Sequence, residues 1–252
     1  MKTTGNTILI TGGGSGIGRE LAREFHALGD TVIVAGRSTA SLEETIEGRD
    51  GMHARTLDVS DAADIVRFAK ELIADFPALN GLINNAAIMV KENLLADPVD
   101  LAIAEATITT NVLGPIRLTA ALLPHLRAQP AATVMTITSG LAFVPLTATP
   151  TYSASKAAMH SWTQSLRYLL KDTHVEVIEI APPGVQTNLT PGQSTRAAYM
   201  PLKDYIAETM ANFKALPETK ENLTERVKFL RFAEAEGRFD KTFNLLNEAY
   251  EG

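Results

Sequence analysis

The sequence predicts an α/β fold, a doubly wound, mostly parallel Rossmann sheet ordered 3-2-1-4-5-6 with C-terminal helices. Three observations predict it. Short β-branched runs alternate with longer helical patterns up to about residue 180. A glycine-rich turn follows the first run and opens a helix. Polar residues with chemical potential fall just after the strand candidates, where such a sheet binds its ligands.

Strand candidates are Thr7–Thr11, Thr31–Ala35, His53–Leu57, Gly81–Asn84, Thr133–Thr138 and Val175–Ile180. Their apolar runs are almost unbroken, as in strands covered on both faces. Helical patterns lie between them, including Gly18–Leu28, Asp61–Asp75, Asp97–Arg127 and Ser153–Leu170. Ala181–Gln193, rich in Pro, Gly, Gln and Thr, reads as a loop. Helical patterns return at Pro201–Leu216, Asn222–Glu236 and Asp240–Glu248. No repeat or linker interrupts residues 1–252, so a single domain is expected, with a mobile lid around 188–222.

A chain of 252 residues can bury one substantial core, and 45% hydrophobic with 21% charged residues is ordinary for a soluble protein. The net charge of -6 argues against nucleic acid as a partner, because phosphates recruit clustered Lys and Arg. Without cysteine there are no disulfides, zinc–thiolate sites or thiol catalysis. Five histidines show none of the spacings of a metal site, so no metal is expected. The polar start runs directly into a strand, leaving no signal peptide. No apolar run nears the roughly 18 residues of a membrane span. A cytoplasmic protein acting on a small molecule is expected, with no membrane partner.

The first strand runs into Thr11-Gly12-Gly13-Gly14-Ser15-Gly16-Ile17-Gly18. Glycines let the backbone turn tightly and approach a pyrophosphate. The helix start that follows offers unpaired N–H groups to an anion. The spacing is not GxGxxG, and no Lys precedes a Ser/Thr as in a nucleotide-hydrolase loop. A turn that only joins strand to helix could use the same residues; the strand–turn–helix context favours phosphate binding.

Strand two ends Val34-Ala35-Gly36-Arg37-Ser38. An NAD-binding sheet usually carries an acid here for the ribose 2′-hydroxyl. Arg37 can instead pair with a 2′-phosphate, so NADP(H) is favoured and NAD(H) remains possible. Ser38, Asp58 and Val59 fall close by, at the ends of strands two and three. Asp58 is either an adenine acceptor or a turn carboxylate.

Strand five ends Thr138-Ser139-Gly140, and Tyr152-Ser153-Ala154-Ser155-Lys156 opens a helix. Tyr152 and Lys156, at i and i+4, share one face. A free phenol has a pKa of about 10; the neighbouring ammonium is expected to favour the phenolate and bring that value down. Ser139 would orient a substrate oxygen, since it lacks the G-x-S-x-G setting of a hydrolase nucleophile. Pro115 cannot donate to the carbonyl of Asn111, four residues back. A kink and a free acceptor able to hold a water are expected there. Leu141, Ala142, Phe143 and Leu146, with the lid, would line a mainly apolar substrate pocket.

These pieces together resemble the short-chain dehydrogenase/reductase family: the Thr11–Gly18 loop, Asn84-Asn85-Ala86, Asn111, Ser139, Tyr152, Lys156 and Pro183-Gly184-Val185-Gln186-Thr187. The resemblance implies hydride transfer between a nicotinamide cofactor and CH–OH/C=O groups. Tyr152 would transfer the proton, and Lys156 would lower its pKa and hold the nicotinamide ribose. Ser139 would bind the substrate oxygen, and Asn111 would anchor a water relay. Asn84 and Ala86 would contact the adenosine side of the cofactor, and Pro183, Gly184, Val185 and Thr187 the nicotinamide side. An arginine at position 37 goes with NADP(H) in the family. The tail Arg226–Gly237 is similar to that of bacterial DltE-like oxidoreductases. Family members often end in a short strand and a Val-Asp-Gly-Gly-like tail, whereas Phe239–Glu248 reads as a helix. A seventh strand and the usual tetramer are therefore not expected; a homodimer through the two long helices is.

The leading expectation is an NADPH-dependent carbonyl reductase for a small apolar aldehyde or ketone. An NAD-dependent alcohol dehydrogenase is the second enzyme reading. A non-catalytic NADP-sensing protein is the alternative of another class; relatives of that kind lose the Tyr or Lys that this chain keeps.

Overall fold

Among the residues that the computed structural model describes, 4–216 and 218–251, seven parallel strands form one sheet ordered β3-β2-β1-β4-β5-β6-β7. Residues 1–3, Pro217 and Gly252 of the expected domain lie outside the described residues. β1 (Thr7–Thr11) lies between β2 (Thr31–Gly36) and β4 (Gly81–Asn84). β3 (Met52–Thr56) extends one side; β5 (Ala132–Ile137), β6 (Val175–Ala181) and β7 (Glu221–Leu223) extend the other. Strand order reverses between β1 and β4, which opens the ligand crevice at their carboxyl ends.

β7 corrects the expectation of six strands. Glu221-Asn222-Leu223 pairs with Glu179–Ala181, in a stretch whose pattern suggested the start of a helix. Three residues carry no readable period, and the open edge of β6 decides their conformation. α2 (Thr39–Ile46), which the pattern did not reveal, crosses between β2 and β3. The helix expected over 97–127 is divided into α4 (Ala102–Ile108), a π turn (Thr109–Leu113) and α5 (Gly114–Ala128). Pro115 has no N–H for the Asn111 carbonyl, and the Gly114 N–H instead reaches the carbonyl of Thr109.

Successive strand residues face opposite ways and feed two cores. Leu9, Ile33, Leu82 and Val134 pack with Phe68 and Leu72 of α3 (Ala62–Asp75), Leu118 and Leu122 of α5, and Leu166 of α6 (Pro150–Leu169). Ile8, Ile10, Val32 and Val34 pack with Leu21 and Phe25 of α1 (Gly16–Ala27) and with Tyr205, Ile206 and Met210 of α7 (Leu202–Ala215). Each such side chain contributes about 1.5–3 kcal/mol when fully buried, so both faces hold the strand ends on which the site is built. α8 (Glu225–Arg231) and α9 (Phe239–Glu251) complete the fold. No helix of the described residues is long and apolar enough to cross a membrane.

Candidate active site

β5, the π turn and α6 bring Asn111, Ser139, Tyr152 and Lys156 together, all buried. The Ser139 hydroxyl accepts from the Leu141 N–H at 3.1 Å and stands within hydrogen-bonding reach of the Tyr152 hydroxyl. Lys156 Nζ donates to the Ile137 carbonyl at 2.8 Å and lies 5.6 Å from the Tyr152 ring centroid. Asn111 acts as a clamp. Its Nδ2 donates to the Ile88 carbonyl (2.9 Å) and to Ser155 Oγ (3.1 Å), while its Oδ1 accepts from the Ile88 N–H (2.9 Å). Ser155 Oγ donates onward to the Tyr152 carbonyl at 2.7 Å. The loop after β4 is thus tied to the turn of α6 that carries Tyr152 and Lys156. The Asn111 side chain is thereby committed to bonds within the protein.

Burial pushes the Tyr152 phenol up to about 12 and the Lys156 ammonium down to about 8. This differs from the lowered phenol that the sequence suggested. The ammonium faces the ring and the Ile137 carbonyl, so loss of water decides the phenol, against a smaller lowering by Ser139.

These residues open on a cavity of about 1110 Å³, whose walls include Gly12, Ser15, Gly16, Ile17 and Ala86. Pro183, Gly184, Val185 and Thr187 lie on it as well. An adjoining cavity of about 580 Å³ is lined by Gly14, Arg37, Ser38, Asp58 and Val59. Ser15, at the N-cap of α1, makes no side-chain capping bond, and the first turn holds no acid. The first N–H groups of α1 are therefore available to an anion, as a pyrophosphate requires. Gly16, at φ +52°, supplies the left-handed turn that precedes them. Gly12 answers to packing: a Cβ there would stand 2.9 Å from the Ala86 Cα and the Asn85 Nδ2. Gly18 likewise abuts the Asn85 side chain and the Gly12 carbonyl.

Over residues 6–198 the chain matches the family described as short chain dehydrogenase. It belongs to that family. The "uncharacterized oxidoreductase DltE" of Bacillus subtilis (strain 168) is 38% identical over 250 residues, 98% of each chain. A short chain dehydrogenase from Burkholderia cenocepacia J2315, solved in complex with NADP, matches with a TM-score of 0.83 at 22% identity, over 98% of this chain and 100% of that one. The 3-ketoacyl-(acyl-carrier-protein) reductase from Brucella melitensis, complexed with NADH, matches with a TM-score of 0.76 at 25% identity, over 87% and 96%. This short-chain dehydrogenase is an oxidoreductase of the CH–OH/C=O class typical of its family. Its likeness to DltE runs on through α7, α8 and α9, past the end of the family match.

Several residues named from the sequence of this short-chain dehydrogenase serve as supports. Thr11 is buried, and its Oγ1 accepts from the N–H groups of Asn85 (3.0 Å) and Ala86 (3.1 Å). Asn84 turns away from the cavity and donates to Thr119 Oγ1 on α5 at 3.0 Å. Its neighbour Asn85 lines the cavity and donates to the carbonyls of Thr11 (2.9 Å) and Gly12 (3.2 Å). Ser38 caps α2, accepting from the Ser41 N–H and hydroxyl at 3.4 and 2.6 Å. Asp58 accepts from the Ser60 hydroxyl (2.7 Å) and N–H (2.9 Å). Those two bonds, with Arg37 nearby, hold its carboxyl below the usual range. Both bonds fall on Oδ1, and Asp58 also lines the adjoining cavity.

At the substrate end, Leu141 and Leu146 line the cavity but Ala142 and Phe143 do not. Phe143 packs edge-on against His160, centroids 4.8 Å apart, with the Arg231 guanidinium 4.6 Å from its own centroid. Ala142 ends a 3₁₀ turn, and α8 presses on that turn: a Cβ on Gly140 would meet Leu230 at 2.7 Å. Of the expected lid, Asn188, Leu189, Gln193 and Arg196 to Tyr199 lie on the cavity, whereas α7 and β7 are built into the fold. Buried Gln193 donates to the Val185 carbonyl (2.8 Å) and Thr187 Oγ1 (3.0 Å), anchoring that segment.

Sequence reasoning missed the contribution of the last two helices. Arg226, Phe229 and Leu230 of α8 and Leu245, Leu246, Ala249 and Tyr250 of α9 line the cavity. Asn247 docks α9: its Oδ1 accepts from the Thr147 N–H (2.7 Å) and hydroxyl (2.8 Å), and its Nδ2 donates to the Pro145 carbonyl (3.2 Å). The amphipathic pattern of α9 was visible; its partner was not. The structure also gathers His160, Glu179 and Glu221, whose ligand atoms lie within 4.8 Å of one another. Protein groups already engage them. Thr138 Oγ1 donates to buried Glu179 at 2.6 Å, His160 Nδ1 lies 2.7 Å from the same carboxylate, and Arg231 pairs with Glu221 at 3.0 Å. Thr138, His160 and Arg231 thus already occupy the two carboxylates.

Proposed function

We propose that this protein is an NADPH-dependent carbonyl reductase in which Tyr152 is the general acid. The observation that supports this role is the burial of that phenol beside Ser139, which pushes it up to about 12 and favours its protonated form at neutral pH. A protonated phenol can give its proton to a developing alkoxide, whereas the reverse oxidation needs a phenolate. Ser139, beside the Tyr152 hydroxyl, would donate to the same substrate oxygen. Lys156, held on α6 one turn away, would keep positive charge near that oxygen and bind the ribose hydroxyls of the cofactor.

The glycine loop and the start of α1 would hold the pyrophosphate, Arg37 the 2′-phosphate, and Val185 and Thr187 the carboxamide. When bound, the nicotinamide supplies the hydride. Arg37 lies on both cavities, at their junction. No acid occupies the end of β2, which favours NADPH over NADH. The Asn111 carbonyl would hold a water that returns a proton toward Lys156. Val59 and Ala86 would flank the adenosine side. A homodimer is supported by apolar side chains left on the outer surfaces of the long helices, Leu113 before α5 and Tyr168 and Leu169 at the end of α6.

The test is a panel of aldehydes and ketones followed by NADPH absorbance. Carbonyl-dependent oxidation of NADPH, faster than that of NADH, is the expected result. Tight NADPH binding with no turnover across the panel would favour a cofactor-sensing protein instead.

A further inference from the structure

Among the described residues, the larger cavity is lined by four cationic side chains, Arg37, Lys156, Arg196 and Arg226, and by no carboxylate, in a chain whose net charge is -6. Arg37 and Lys156 have places in the proposed reaction. Arg196 and Arg226 have none. Both belong to the corner where the lid segment, α8 and α9 meet. Arg226 Nη2 donates to the Ala198 carbonyl, two residues from Arg196. The Arg196 guanidinium lies 4.4 Å from the Tyr250 ring centroid and 5.5 Å from that of Tyr199. The Lys91 ammonium approaches the same Tyr250 ring, at 5.1 Å.

Arg196 and Lys91 thus share the Tyr250 ring with Arg226 tied to the same lid segment, and none of the three has an ion-pair partner among the described residues. The aromatic faces offset part of their mutual repulsion. An anion placed among them would offset the rest, and a guanidinium fork fits an oxyanion with two parallel hydrogen bonds. Tyr199 links this corner to the chemistry, standing close to both Arg196 and Tyr152 with its ring against Gly184. The mouth of the cavity is apolar, with Val90, Leu189, Phe229 and Leu245 on its walls and all four partly exposed.

We infer that the substrate is an amphipathic carbonyl compound, with an apolar body and an oxyanionic group that Arg196 and Arg226 hold while the carbonyl meets Tyr152. This rests on the reductase reading for its chemistry but not for its binding. It departs from the expectation of a small apolar substrate by adding a charged group.

The test compares 4-formylbenzoate with 4-methylbenzaldehyde, which match in size and differ in charge. At saturating NADPH, kcat/KM for the carboxylate is expected to exceed that for the neutral aldehyde at least about tenfold, the yield of one charge-assisted hydrogen bond. The double substitution Arg196→Met/Arg226→Met is expected to bring the ratio near one. Arg226→Met alone, at an exposed position on α8, is expected to lower it severalfold and serves if the double variant misfolds. Calorimetry with 4-(hydroxymethyl)benzoate and 4-methylbenzyl alcohol reads the same discrimination without turnover. Preference for the carboxylate in binding, with neither aldehyde reduced, would defeat the reductase reading and leave this inference standing. A ratio near one in wild-type protein in both assays, or one that survives the double substitution, overturns it.

Discussion

Lys156 Nζ donates to the Ile137 carbonyl across 2.8 Å, at a position where burial brings the ammonium down to about 8. One bond to a neutral carbonyl only partly offsets the loss of water from a charge. Because the folded value lies below the ordinary 10.5, the unfolded chain holds this proton more tightly. The resulting cost to stability is fully present below about pH 8 and fades as pH rises from there to 10.5. The difference corresponds to about 3 kcal/mol, from which an unpaired Ile137 carbonyl would subtract about 1 kcal/mol. Lys156→Met is therefore expected to be inactive yet more stable than wild type at pH 7, by roughly 2 kcal/mol. Urea unfolding at pH 7 and at pH 10 checks this, and the gain should shrink at the higher pH. A variant less stable at pH 7 would refute the account.

Tyr152 makes a separate prediction. Replacing it with Phe removes the hydroxyl and little else, since the ring stays buried on α6. Turnover is expected to fall by about 10²–10⁴-fold, the usual worth of a positioned acid. NADPH affinity, read by fluorescence, should stay nearly intact. The pH profile distinguishes the partners. kcat/KM for NADPH, which reports the free enzyme, should decline above about pH 8 as Lys156 loses its charge. Unchanged turnover in Tyr152→Phe would end the acid assignment.

Five of the strands, β1, β2, β4, β5 and β6, were legible because they are largely buried and read as apolar runs; β7 was not, because three residues cannot display a period. Tyr152 and Lys156 were legible for a local reason, their spacing of one helical turn. Choosing between Asn84 and Asn85 was harder. Adjacent residues at a strand end point to opposite sides, and only the packing of Thr119 shows which amide is drawn inward. The substrate corner was beyond reach, since it depends on pairs such as Thr147 and Asn247, 100 residues apart. Phe143 illustrates the same point, since His160 and Arg231 draw it out of the cavity it was expected to line.

Arg37 carries the choice of cofactor. It lines both cavities, and its charge contributes to holding the Asp58 carboxyl low. Arg37→Asp would remove a donor to the 2′-phosphate and place a like charge beside it, while offering an acceptor to a free 2′-hydroxyl. The ratio of kcat/KM for NADPH over NADH is expected to fall by about 10²-fold or more, the loss of one charged hydrogen bond plus the repulsion. Steady-state kinetics with both coenzymes decides it. A ratio that does not move would place the 2′-phosphate elsewhere.

Asn247 tests whether α9 is part of the site. Its side chain satisfies the Thr147 N–H and hydroxyl and reaches the Pro145 carbonyl, all in the segment between Ser139 and Tyr152. Asn247→Ala leaves those groups without the amide, at about 1–3 kcal/mol. The cost should appear as loosened docking of α9, because the two cores lie elsewhere. Leu246 and Tyr250 would then no longer be held against the cavity that they line. KM for the carbonyl substrate is expected to rise several-fold with the NADPH dissociation constant unchanged, since Asn247 makes no bond to the phosphate loop or Arg37. Hydrogen exchange should show faster exchange in α9 and not in β1 or α1. Equal losses of NADPH and substrate binding would mean that the substitution disturbs the whole sheet edge, and α9 would lose its assigned role.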